Sequence, residues 1–107
     1  ADQTHVDERR EVFRAKRAVV LDHLADAGIE VSGSQATFYV WFRAPGGDDA
    51  AYAEALLRER IVASPGRTFG AGGTGWLRLA LVPTVEGCRE AMTVWQSAIA
   101  AGRLPHD

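Results

Sequence analysis

Residues 69–82 read FGAGGTGWLRLALV, a glycine-rich loop followed by an apolar run. Its glycines Gly70, Gly72 and Gly75 match G-x-G-x-x-G, the loop that cradles a dinucleotide pyrophosphate in some α/β proteins. Such a loop works only when a strand feeds it and a helix leaves it, because the helix N-terminus receives the phosphate. What leaves this loop is WLRLALV, a β-favouring run that stops at Pro83. The loop therefore joins strand to strand, and the nucleotide reading is set aside. In its place stands the question of why a glycine-rich loop delivers an arginine, Arg78, into the middle of an apolar strand.

Side chains alternate along a strand, so Leu77, Leu79 and Leu81 share one face and Trp76, Arg78, Ala80 and Val82 the other. The leucine face is expected to pack under helices. The second face holds Arg78 among Trp, Ala and Val, where an open sheet surface would ordinarily be polar. Upstream, TFYVWF at 37–42 is dense in aromatic and β-branched residues and reads as another strand, with Phe38, Val40 and Phe42 on one side and Tyr39 and Trp41 on the other. Both of its sides are bulky. Either a further helix or loop of this chain belongs against that second face, or the domain docks on a larger body with Arg78 at the seam.

Helices account for most of the remainder. From Asp7 to Ala27 the residues Phe13, Val20, Leu21, Leu24 and Ala27 recur at helical spacing, with Asp7, Glu8 and Glu11 near the start and Gly28 after the end. Arg9, Arg10, Arg14 and Lys16 read as its solvated side, with a basic partner site as the alternative. RAPGGDD is a turn in which Asp48 or Asp49 caps a second helix running to about Arg60, with Tyr52, Ala55, Leu56 and Leu57 inward. A short apolar piece, IVAS, precedes Pro65-Gly66. Thr84 caps the last helix, whose Cys88, Ala91, Met92, Trp95, Ala98 and Ile99 lie on one side and which Gly102 ends. The fold class expected is α+β: a two-layer sandwich with a small three-stranded sheet covered by helices on one face, preceded by the long helix.

Composition narrows the function. The 107 residues suit one domain, and 47% hydrophobic content is ordinary for a globular chain. Twelve basic and 14 acidic residues spread along the chain give a net charge of -2, with no footprint for nucleic acid or an anionic membrane. No apolar run approaches the roughly 20 residues of a membrane span, and the charged N-terminal stretch does not read as a signal peptide, so a cytoplasmic location is expected. Cys88, the single cysteine, excludes an internal disulfide and reads as a small core residue. His5, His23 and His106 are scattered, support no metal site, and are expected in surface or capping roles.

The segment from ATFYVW through the Pro65-Gly66 turn, the FG that follows, WLRLAL and VPTVEGCREA resembles, in that order and spacing, the C-terminal small domain of the class I/II aminotransferases, the fold type I pyridoxal-phosphate enzymes. Within them it is most similar to the succinyldiaminopimelate aminotransferases of lysine biosynthesis. REVFRAKRAVVLDHLADAGIEV resembles the helix that connects the two domains of these enzymes, so the likeness covers nearly the whole chain. The resemblance implies a single small domain over residues 1–107, with a connector helix at 1–28, a substrate-clamping part at 29–107 and the cofactor domain outside this sequence.

It also implies roles. The arginine of the WLRLAL strand, Arg78, would bind the α-carboxylate of the substrate, and Phe38 and Tyr39 would line the pocket. Independently of the family, a guanidinium offers a rigid fork of donors that fits a carboxylate in bidentate fashion and stays charged. Pyridoxal 5'-phosphate would serve the full-length enzyme and not bind this chain alone, because covalent attachment needs a lysine and Lys16, the only one, sits in a charged helix outside the family's lysine motif. The activity implied is transfer of an amino group from glutamate to a keto acid, N-succinyl-2-amino-6-ketopimelate, in diaminopimelate and lysine biosynthesis, by a homodimer whose other partners are the large cofactor domain and the amino-acid and keto-acid substrates. Without the resemblance, a stand-alone α+β module that binds a small carboxylate, or a protein-interaction module without catalysis, stays open.

Overall fold

The computed structural model describes residues 3–32, 39–81 and 84–106. In chain order they form helix α1 (Gln3–Asp26), strand β1 (Tyr39–Arg43), helix α2 (Asp49–Arg58), the two-residue strand β2 (Ser64–Pro65), 3-10 turns at Gly66–Phe69 and Ala71–Gly73, strand β3 (Trp76–Ala80) and helix α3 (Val85–Ala100). The sheet order is β1-β3-β2, with both pairings antiparallel. The chain is thus α+β with a small three-stranded sheet. A strand, not a helix, leaves the glycine loop.

The sheet has one buried face. Val40 and Phe42 of β1 lie opposite Leu79 and Leu77 of β3, and all four are buried. Against them packs an aromatic cluster from the helices: Trp95 of α3 lies 5.2 Å from the Phe42 ring and 6.2 Å from the Tyr52 ring of α2. Val20 and Leu24 of α1 join the same core. Helices therefore cover the leucine face and leave Tyr39, Trp41, Trp76 and Arg78 half-buried on the other.

Local signals explain the element ends. Thr84 caps α3 by accepting the Gly87 amide at Oγ1 (2.9 Å), and Asp48 caps α2 by accepting the Ala51 amide (3.1 Å). α1 ends where Gly28 turns left-handed (φ 71°) and the Ile29 amide reaches back to the Leu24 carbonyl. The α1 start at Gln3 is earlier than Asp7, so no acid stands in its first turn.

Five side chains depart from the sequence expectation, Ala27 among them because α1 ends at Asp26 and leaves it exposed. Lys16, placed on the solvated side of α1, is buried, because its spacing to Val20, His23 and Leu24 puts all four on one stripe. Its ammonium lies 4.5 Å over the Phe13 ring. His23, expected at the surface, is 2% exposed and meets Trp95 at a tilt, with ring centroids 4.6 Å apart. Leu57 and Ile99, expected inward, are exposed: each follows a residue with no exposed surface, Leu56 and Ala98, and so points about 100° around the helix from it. Phe38 and Val82 lie outside the described residues.

Candidate functional site

Arg78 sits in the central strand, with Trp41 as its cross-strand partner on β1 and Ser64 on β2. Its guanidinium carbon lies over two rings, 4.1 Å from the centroid of Tyr39 and 4.1 Å from that of Phe69. Tyr39 is the diagonal neighbour on the same sheet face, within reach of a long side chain. Phe69 comes from the 3-10 turn before the glycine loop and also meets Trp41 edge-on at 5.8 Å.

This arrangement fixes the guanidinium without using its donors. Both contacts are cation–π contacts at the guanidinium carbon, and among the described residues its five N–H donors make no side-chain hydrogen bond or ion pair. Among the described residues no carboxylate pairs with Arg78, while Arg14, Arg58, Arg67, Arg89 and Arg103 each have an acidic partner. The outcome is a held cation with its donors available. Beside it opens a depression of about 500 Å³ walled by Trp41, Phe69, Trp76 and the Gly70–Gly73 turn. Ser32 completes the lining, and Phe69 and Trp41 are shared between this depression and the surroundings of Arg78, so a carboxylate paired with Arg78 would stand near apolar rings, where such a contact is stronger than in open water.

The loop that brings Phe69 to Arg78 is built by two contacts. The Gly66 and Gly73 backbones touch, and a Cβ placed on Gly66 would stand 2.7 Å from the Trp76 carbonyl oxygen, closer than real contacts allow. The second contact is ionic. Asp49, with no exposed surface, accepts Arg67 Nε (2.9 Å) and Nη2 (2.6 Å) at Oδ1 and the Arg67 amide (3.0 Å) at Oδ2. The Gly75 amide also favours the charged form of this carboxylate. Arg67 and these amides hold the Asp49 carboxyl far below the usual carboxylate range, and Asp49 in turn raises Arg67. The sequence reading used Asp49 only as a possible helix cap. The cap is Asp48, and the one sequence signal for a second role was a tandem aspartate where one suffices.

Of the residues singled out from the sequence, Arg78 and Tyr39 are brought into contact, and Phe38 lies outside the described residues. Lys16, buried against Phe13, does not fit covalent attachment of a cofactor. Among the described residues no group of His, Cys, Asp or Glu could hold a metal ion, and no helix is long and apolar enough to cross a membrane.

Residues 1–94 match the family model described as aminotransferase class I and II. Among curated proteins the chain is similar to an LL-diaminopimelate aminotransferase of Syntrophobacter fumaroxidans, at 38% identity over 85% of this chain and 24% of that protein. Among solved structures it is similar to a probable N-succinyldiaminopimelate aminotransferase from Thermus thermophilus, with TM-score 0.70 and 34% identity over 81% of this chain and 24% of that one. It shares its fold with an aromatic aminotransferase from Pyrococcus horikoshii at TM-score 0.81 and 23% identity, over 94% of this chain and 28% of that one. The chain spans about a quarter of the length of the relatives it matches.

Proposed function

The chain belongs to the class I and II aminotransferase family, and on that premise we propose that it is the small, substrate-gripping domain of a pyridoxal-phosphate-dependent aminotransferase. Residues 1–28 serve as the connector to a large cofactor-binding domain and residues 29–107 as the gripping part. The observation that carries this reading is Arg78, held against the Tyr39 and Phe69 rings, with Phe69 also walling the neighbouring depression. Tyr39 lines that grip, and Phe38, outside the described residues, is assigned the pocket-lining role on the resemblance alone. No step of the chemistry is assigned to this chain's residues. Their part is to bind the substrate carboxylate and orient the rest of the molecule, a contribution that lowers the barrier by removing freedom before the reaction.

The substrate follows the relatives' names. Glutamate gives up its amino group and leaves as 2-oxoglutarate, and N-succinyl-2-amino-6-ketopimelate receives it to become the N-succinyl-diaminopimelate, as in diaminopimelate and lysine biosynthesis. The whole protein works as a homodimer. The test is an assay of the protein that carries this chain, loaded with pyridoxal phosphate, using 2-oxoglutarate against LL-diaminopimelate and its N-succinyl derivative. Turnover of the succinyl compound, abolished by Arg78→Ala, is the expected result. Turnover of free LL-diaminopimelate alone moves the assignment to the activity named for the curated relatives, and no transamination with either overturns it.

A further inference from the structure

We propose that Asp49 is a positioning residue for Arg78, acting through the loop that carries Phe69. The proposal rests on the reading of Arg78 as the carboxylate grip and assigns that grip a remote control. One buried carboxylate receives three donors where the loop leaves, the Arg67 amide, Nε and Nη2, while at the other end, where the loop returns to β3, the Gly75 carbonyl accepts the Ala44 amide at 2.8 Å. Phe69 stands two residues after the first of these anchors, and Arg78 three residues after the second.

The chemistry suits that task. A carboxylate at the first turn of α2 is favoured by the helix dipole, and the guanidinium fork fixes direction as well as distance. Among the described residues the one further ionic tie from the 67–75 loop to the start of α2 is the exposed Asp48, which touches Arg67 at 3.3 Å. Three further contacts complete the relay: Phe69 to Arg78 at 4.1 Å, Phe69 to Trp41 at 5.8 Å, and Trp41 opposite Arg78 in register. Loss of the Asp49 charge frees the Phe69 ring from Arg78, and the guanidinium then has to be ordered each time a carboxylate binds. Ordering one long side chain weakens binding by about two- to tenfold.

The direct readout is the Arg78 Nε–Hε resonance in the 107-residue chain, since a proton held over an aromatic face is shielded. Phe69→Leu sets the size of the shift that the ring causes. The expected result is that Asp49→Asn and Arg67→Lys both move the Arg78 signal in the same direction as Phe69→Leu, toward the position of the exposed Arg14. L-glutamate, used as the carboxylate probe, should then bind two- to tenfold more weakly. Arg67→Lys keeps the charge and removes the fork at a half-exposed side chain, so it decides the matter if Asp49→Asn does not fold. An Arg78 signal unmoved in Arg67→Lys, or moved by Phe69→Leu alone, overturns the proposal. Because the resonance is read without ligand, a shift as expected combined with no glutamate binding by the complete protein upholds the positioning role and removes the carboxylate-grip reading instead.

Discussion

The indole Nε1 of Trp95 donates a hydrogen bond to the Tyr52 hydroxyl at 3.0 Å, and neither side chain has meaningful contact with solvent. This bond joins α3 to α2 across the core, beneath the strand face opposite Arg78. Burial pushes the Tyr52 phenol above its ordinary range. Tyr52→Phe keeps the ring and leaves the buried indole N–H without its acceptor, which costs about 1–3 kcal/mol. Chemical denaturation should show that loss, with the denaturant dependence unchanged.

His23 predicts a pH dependence in the opposite corner of the core. Burial lowers its pKa below 6.5, against a smaller raising effect from Asp26. Neither ring nitrogen has a hydrogen-bond partner among the described residues. The folded chain therefore favours the neutral ring, while the unfolded chain takes up a proton near pH 6.5, so stability falls as pH drops below that value. The Asp49 pair does not confuse the window, because its carboxyl protonates only in much stronger acid. His23→Phe preserves a ring beside Trp95 and removes the titration. Melting temperatures at about pH 7.5 and about pH 5 should differ for the wild type and converge for the variant.

The two histidine and lysine surprises show what the sequence contained and how it was overridden. Lys16, Val20, His23 and Leu24 follow helical spacing, so the stripe was legible, but side-chain charge argued for solvent and spacing argued for the core. Spacing won. The Leu77/Leu79 and Val40/Phe42 alternation, the Thr84 cap and the strand after the glycine loop were readable because each is a local pattern. The Asp49–Arg67 pair was not, since its partners are 18 positions apart and belong to a loop whose path depends on backbone contact between Gly66 and Gly73. The stacking of Phe69 on Arg78 follows from that path and was equally out of reach.

The glycine loop itself can be tested by a matched pair. A Cβ on Gly66 runs into the Gly73 and Trp76 backbones, whereas a Cβ on Gly72 meets nothing within 4 Å. Gly66→Ala should destabilise the domain by about 1–3 kcal/mol, as overpacking at a rigid contact does. Gly72→Ala should stay within about 0.5 kcal/mol of wild type. Equal melting temperatures for the two would mean that the loop does not hold the Gly66–Gly73 contact in solution.

Arg78 and Leu79 adjoin in sequence and face opposite ways, which gives the functional reading its sharpest test. Leu79→Ala empties a buried site and should cost about 2–5 kcal/mol. Arg78→Ala removes only ring stacking from the fold, worth about 0.5–1 kcal/mol per ring at a partly exposed site. Its effect on catalysis in the complete protein should be far larger. Each charged hydrogen bond lost to the substrate carboxylate is worth about 1.5–3 kcal/mol, which is roughly a ten- to hundredfold fall in kcat/KM. Arg78→Lys keeps the charge without the fork and should fall between wild type and Arg78→Ala, separating geometry from charge. The two positions are therefore expected to cross, with Arg78 variants losing activity at near-normal melting and Leu79→Ala losing melting temperature first. An Arg78→Ala protein that keeps its kcat/KM for glutamate while melting as early as Leu79→Ala would make the arginine a packing residue, since a side chain that matters only to the fold has no means of discriminating one substrate from another.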